Sequence, residues 1–141
     1  MSIEQNKALV RRYIEDVWDK RNMAAIDELI AADYIQHTRG VPPGREGVKQ
    51  FFGMVRAAFP DVTQTAEDMI AEGDKVVWRW TIRGTHTGPF QQLPPTGKQV
   101  TITGVNIVRI AGGQLVENWG EVDMLGLLQQ LGAIPMPGQA G

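Results

Sequence analysis

"KVVWRWTIRGTHTG", Lys75 to Gly88, alternates along its strand-like part, with Val76, Trp78, Trp80 and Ile82 set against Val77, Arg79, Thr81 and Arg83. Period-two alternation with one apolar side marks a half-buried strand, one face on a core and the other toward solvent. A second such run, 100–110, follows the loop "PFQQLPPTGKQ", and a third, 115–121, follows the adjacent glycines Gly112 and Gly113. Upstream, 62–71 predicts an edge strand, and "EGD" at 72–74 predicts the turn that joins it to Lys75. These runs read as one antiparallel sheet.

The residues before the sheet keep a helical period. Val10, Tyr13, Ile14, Val17 and Trp18 fall at i, i+3, i+4, i+7 and i+8, which predicts one amphipathic helix over 3–20. Asn22 is expected to cap a short second helix carrying Ile26, Leu29 and Ile30. "HTRGVPPG" reads as a loop. Val48, Phe51, Phe52, Val55 and Phe59 then predict a third helix, ended by Pro60-Asp61. After the sheet, "MLGLLQQLG" predicts a last helix stopping at Gly132, and 133–141 a flexible tail. Residues 1–132 thus read as a single α+β domain. A sheet folded around a long helix leaves a cone-shaped cavity at its open end.

The totals narrow the function classes. The chain has 141 residues, 43% of them hydrophobic and 21% charged, which fits one soluble domain able to bury a core. A net charge of -2 with no basic block gives no electrostatic footprint for nucleic acid or an anionic membrane. There is no cysteine, which excludes disulfides and thiolate metal sites. No apolar run reaches membrane length and the N-terminus has no signal-peptide core, so a cytoplasmic location is the expectation. No His/Asp/Glu set has ligand spacing, and neither "GREG" nor "PPTGKQ" has phosphate-loop spacing. No metal, cofactor or covalent nucleophile is expected.

The order of elements, with "YIQH" at Tyr34–His37, "RGTHTG" at Arg83–Gly88, "PPTGKQV" at Pro94–Val100 and "ENWGEVDMLGLLQQLG" at Glu117–Gly132, resembles the SnoaL-like polyketide cyclases of the NTF2-like superfamily. The resemblance runs from about Gln5 to Gly132. It implies an NTF2-like cone, N-terminal helices packed on a curved antiparallel sheet with a short C-terminal helix. It also implies a cofactor-free enzyme that works by proton transfer on a small hydrophobic, polyketide-like carbonyl compound. In those cyclases an aspartate on the last strand is the general acid/base of an aldol ring closure. That aspartate falls on Gly120 here, and a histidine of the preceding strand falls on Asn106. The histidine of "GTHTG", His86, is retained.

Strand parity sorts the candidates. A three-residue turn, Ala111-Gly112-Gly113, pairs Ile110 with Gln114, Asn106 with Asn118 and Gly104 with Gly120. Asn106, Asn118 and Gly120 then line the pocket, the amides able to polarise a carbonyl or enolate and the glycine leaving room. Glu117, Trp119 and Glu121 face outward toward Arg79 and Arg83, on an outer face suited to a homodimer contact. A two-residue turn would slip the register by one and reverse this. Asp123 is expected to cap the last helix.

His86 and, at the cavity mouth, His37 are the expected proton carriers; their alternatives are a strand-end histidine on a loop carbonyl and an exposed loop histidine. Tyr34, Trp78 and Trp80 are expected to stack on the substrate, the alternative being core packing. With the carboxylate missing, a non-catalytic small-molecule-binding protein with the same pocket is the competing function. A protein–protein adaptor is the third.

Overall fold

The computed structural model describes residues 2–135. Ser2 opens α1 (Ile3–Tyr13) with a reciprocal cap, its Oγ accepting from Gln5 N–H at 3.1 Å while the Gln5 side chain accepts from Ser2 N–H at 2.8 Å. The expected single helix over 3–20 continues but widens into a π-helical turn, Ile14–Asp19, that still buries Ile14, Val17 and Trp18. The guanidinium of Arg56 donates to the Val17 carbonyl within that turn.

Helix α2 (Ala24–Leu29) follows, and here the structure corrects two expectations. Asn22 contributes its backbone carbonyl, 3.1 Å from Ala25 N–H, and Met23 holds the cap position with no side-chain bond. Helical spacing through Ile26, Leu29 and Ile30 also ran into a strand, β1 (Ile30–Gln36), that the sequence did not reveal. Then come α3 (Gly44–Ala58), β2 (Thr63–Glu72), β3 (Lys75–Thr85), β4 (Gln99–Ala111), β5 (Gln114–Val122) and α4 (Met124–Gln130).

The sheet order is β1-β5-β4-β3-β2. β2 is an edge strand as expected, and the β2–β3–β4–β5 ladder is antiparallel. β1 joins the other side of β5 in parallel, which makes the sheet mixed. The helices cover its inner face: Val10, Val17, Ile26, Leu29 and Phe52 pack against Val76, Trp78, Trp80, Ile82, Ile102, Val108 and Leu115 in one core. No helix among the described residues is long and apolar enough to cross a membrane.

The β4–β5 hairpin differs from the expected register, and the difference cancels. Gly112 and Gly113 both have positive φ, 59° and 75°, so the turn has two residues and pairs Ala111 with Gln114 and Ile110 with Leu115. A bulge at Val116 then slips the ladder once more, pairing Arg109 with Glu117, Val108 with Asn118 and Asn106 with Gly120. Two one-residue slips restore the original faces. Asn106, Asn118 and Gly120 stay inward, and Glu117, Trp119 and Glu121 stay outward.

Asp123 caps α4, its Oδ1 accepting from Gly126 N–H at 2.9 Å. Asp123→Ala is therefore expected to cost on the order of 1 kcal/mol in urea unfolding, and Asp123→Asn to be nearly neutral. Equal losses in both would assign the side chain a charge-dependent role beyond the cap. Past Gly132, Ala133 N–H still bonds the Leu128 carbonyl at 2.9 Å, and the remainder of the expected tail beyond Pro135 lies outside the described residues.

Candidate functional site

A chain of neutral side chains crosses the inner face from β3 to β1. Trp80 Nε1–H donates to Asn106 Oδ1 at 2.7 Å, and Asn106 Nδ2–H donates to Asn118 Oδ1 at 2.8 Å. Asn118 Nδ2 donates to Gln36 Oε1 at 3.1 Å and to Thr38 Oγ1 at 3.3 Å. Gln36 Nε2 donates to the Tyr34 hydroxyl at 3.2 Å. An indole can only donate, so Trp80 fixes the polarity of every amide after it.

The chain uses its acceptors and leaves donors over. The second N–H of Asn106, the second N–H of Gln36 and the hydroxyl protons of Thr38 and Tyr34 have no acceptor among the described residues. Burial, with Tyr13 close by, drives the Tyr34 phenol far above its ordinary pKa, so it stays a protonated donor. Asn118, Tyr34 and Trp80 are buried, while Gln36, Thr38, Gly104, Asn106 and Gly120 are half-buried and open the cluster to solvent. Of the expected binding residues, Tyr34, Trp80, Asn106, Asn118 and Gly120 come together here. Trp78 does not: it is core, its indole N–H held by Gln64 Oε1 at 3.0 Å.

Gly120 leaves less room than expected. A Cβ on it would lie 2.6 Å from Thr38 Oγ1 and 2.9 Å from Asn106 Nδ2. The space that the glycine vacates is already shared by these two polar groups.

His86 is elsewhere. It follows β3 and lies eight residues from Trp78, the partner of Asn106, which is roughly 26 Å of extended chain. It is fully buried against Phe59. Its Nδ1 accepts from Thr96 N–H at 3.2 Å and lies 2.9 Å from Thr96 Oγ1, so the neutral ring carries its proton on Nε2, which has no partner. Where the alternative for His86 has a loop carbonyl as partner, the structure has a loop amide and hydroxyl.

His37 is a correction. It follows a strand, where a helix was expected, and it leaves the cavity side altogether. Its ring stacks on Trp119 with centroids 5.0 Å apart, and its Nε2 lies 2.7 Å from Glu117 Oε2, both on the outer face. Arg109 Nε holds the other Glu117 oxygen at 3.0 Å, and Arg79 pairs with Asp68 at 2.7 Å and not with the acidic stretch as expected. His37, then Arg109, pull the Glu117 pKa below the usual carboxylate range. A lowered folded-state pKa gives stability that is present above the unfolded-state pKa and is lost as pH falls through the folded one. The melting temperature of Glu117→Gln should therefore fall short of wild type at neutral pH and converge with it in acid. A gap that widens in acid would show that the carboxylate is not what the pair stabilises.

Two surface recesses lie away from the donor cluster. One of about 460 Å³ lies on the outer face between Ile70, Lys75, Val77 and Ile107; the other, about 220 Å³, lies between Asp61, Arg83, Thr85 and Thr101. No group of three or more His, Asp or Glu side chains gathers at a metal-binding distance among the described residues.

Sequence reasoning missed Gln36 and Thr38. The signal was present: Tyr34, Gln36 and Thr38 alternate, and a strand reading of that segment would have put all three on the face of Asn118.

Known proteins share this architecture. The family model for SnoaL-like polyketide cyclases matches residues 8–131. The nogalonic acid methyl ester cyclase of Streptomyces nogalater is 31% identical over 120 residues, 82% of this chain and 89% of that protein. Among solved structures, AclR of Streptomyces galilaeus, a candidate hydroxylase, superposes with a TM-score of 0.88 at 28% identity, covering 97% of this chain and 87% of AclR. IdmH of Streptomyces antibioticus, a candidate polyketide cyclase, superposes with a TM-score of 0.81 at 34% identity, covering 91% of this chain and 99% of IdmH. With the family match spanning nearly the whole domain and the same fold in these relatives, the chain belongs to the SnoaL-like polyketide cyclase family.

Proposed function

We propose that this chain is a cofactor-free enzyme acting by proton transfer on a small hydrophobic, polyketide-like carbonyl compound. The observation that carries the reading is the surplus of donors in an uncharged cluster (Asn106, Gln36, Thr38 and Tyr34) around Asn106 and Gly120. On these two positions the resemblance places a histidine and the catalytic aspartate of the family's cyclases. Such a cluster suits an oxygen that gains negative charge, as a carbonyl does on enolisation.

Proton transfer falls to His86 or to the Tyr34 phenol. His86 reaches a substrate held at Asn106 only if that substrate is elongated, as a polyketide chain is. His37, on the outer face, takes no part in this reading. That face supports a homodimer: Ile70, Val77, Ile107 and Trp119 are paired in one row across four strands, and Ile70 is 67% exposed.

The second reading, a binding protein without chemistry, is favoured by one specific observation. Gly120 supplies no carboxylate, and the donor cluster contains no group that is a base at neutral pH. Incubation with polycyclic ketones, followed by product analysis and thermal shift, separates the two. Turnover lost in His86→Ala and kept in His37→Ala is the expected result. Loss in Tyr34→Phe with His86→Ala unaffected moves proton transfer to the phenol. A ligand-induced shift with no turnover in the wild-type chain leaves the binding reading.

A further inference from the structure

Thr38 stands two residues beyond β1, where the chain leaves the sheet. Its backbone N–H donates to Gln36 Oε1 at 3.0 Å and its Oγ1 accepts from Asn118 Nδ2 at 3.3 Å. Main chain and side chain are therefore both held by buried or half-buried amides. An oxygen that already accepts has its hydroxyl proton free to turn outward. The same oxygen is the nearest atom to the bare face of Gly120, at 2.6 Å from where a Cβ would stand, with Asn106 Nδ2 at 2.9 Å from that point. These two polar groups fill the space that a side chain at Gly120 would take, so a ligand oxygen meets them from the side open to solvent.

We infer that Thr38 is a specificity-determining residue of the site: its hydroxyl and the free N–H of Asn106 together hold one oxygen of the ligand over Gly120. The chemistry of the pair defines what it takes. Both groups are neutral and the Asn106 N–H can only donate, so the pair suits a carbonyl or enolate oxygen. An ammonium group would be opposed by that N–H and would find only the remaining lone pair of Thr38 Oγ1. Asn118 is the positioning residue, because it fixes Thr38 Oγ1 with one N–H and accepts from Asn106 on its other side. A hydrocarbon of the same shape would fill the site without using either donor. This inference rests on the carbonyl reading of the cluster.

The test uses α-tetralone, a bicyclic ketone, and tetralin, the same skeleton without the oxygen. Both are titrated by NMR into wild type, Thr38→Val, Thr38→Ala and Thr38→Ser. The expected result is an α-tetralone affinity about tenfold weaker in Thr38→Val, and in Thr38→Ala should Thr38→Val fail to fold. Thr38→Ser, which keeps the hydroxyl, should stay within about twofold of wild type, and tetralin should bind all four alike. Equal α-tetralone affinity across the variants overturns the role of Thr38 and leaves the carbonyl reading standing. A parallel loss of tetralin overturns it too, since the side chain would then only pack. If wild type prefers α-tetralone no more than tetralin, the carbonyl reading itself falls, and this inference with it.

Discussion

Gly104→Ala is expected to lower stability by about 3 kcal/mol and to dismantle the donor chain at its Trp80 end. A Cβ at this position would overlap the Trp80 ring and stand 2.5 Å from the backbone oxygen of Glu121. The carbonyl belongs to β5 and cannot swing aside without breaking the ladder, so the indole must move. Its N–H then loses Asn106, and the amide that Trp80 had oriented is free to flip. The same methyl group placed on Gly53 meets nothing within 4 Å on an exposed turn of α3, and there it should stabilise by about 0.5–1 kcal/mol. Urea unfolding of the two variants side by side measures the contrast. A Gly104→Ala protein as stable as Gly53→Ala would mean that Trp80 is not fixed where it bonds Asn106.

That glycine also shows how much of the site could be read beforehand. The inward placement of Asn118 and Gly120 rested on a three-residue turn and came out right through offsetting slips, whereas Gly104 and Asn106 were legible from the alternation of β4 alone. What filled the space beside them was not. Trp80 leans over Gly104 and Thr38 over Gly120, one from the neighbouring strand and one from a segment 82 residues away in sequence. Contacts of that separation leave no trace in local periodicity.

The largest misreading, β1, has the same origin. Ile26, Leu29 and Ile30 continue a helical spacing, and no turn precedes "IAADYIQ", because this strand is specified by its parallel partner β5. Once it is a strand, Tyr34 and Gln36 face Asn118 and His37 is carried to the far side of β5. One strand therefore moved two candidate residues. The helices and the β2–β3–β4 ladder were legible because each carries its own period, with clear stops such as Pro60 after α3 and Gly73 in the β2–β3 turn. The hairpin register came out on the right faces through two slips that offset each other, which alternation could not have revealed.

Asn118→Asp separates a structural role for the donor chain from a decorative one. Asn118 is buried, and its Nδ2 faces Gln36 Oε1 at 3.1 Å. That oxygen also takes Thr38 N–H at 3.0 Å, so Gln36 cannot flip to present a donor without losing this bond and turning an N–H against the Thr38 amide, even though its oxygen could then accept from the Tyr34 hydroxyl. An ionised aspartate would put a charge against this fixed acceptor in a site that holds no cation, and its pKa in the folded protein should rise above the ordinary carboxylate value. A raised folded-state pKa means that the native protein binds the proton more tightly than the unfolded chain does, so stability falls as pH rises. The variant should sit within about 1 kcal/mol of wild type near pH 4, where the protonated acid still donates to Gln36. Near pH 7 the deficit should reach about 3 kcal/mol, or roughly 10 °C in melting temperature. The two carboxylates act with opposite sign, since Glu117 favours the native state as pH rises and the introduced carboxylate opposes it. Both variants therefore fall short of wild type near neutral pH and approach it in acid, and one melting series from pH 4 to 8 reports on both sides of β5. A flat profile for Asn118→Asp would mean that water or a rotated Gln36 satisfies the carboxylate, and the polarity set by Trp80 would then stop at Asn106.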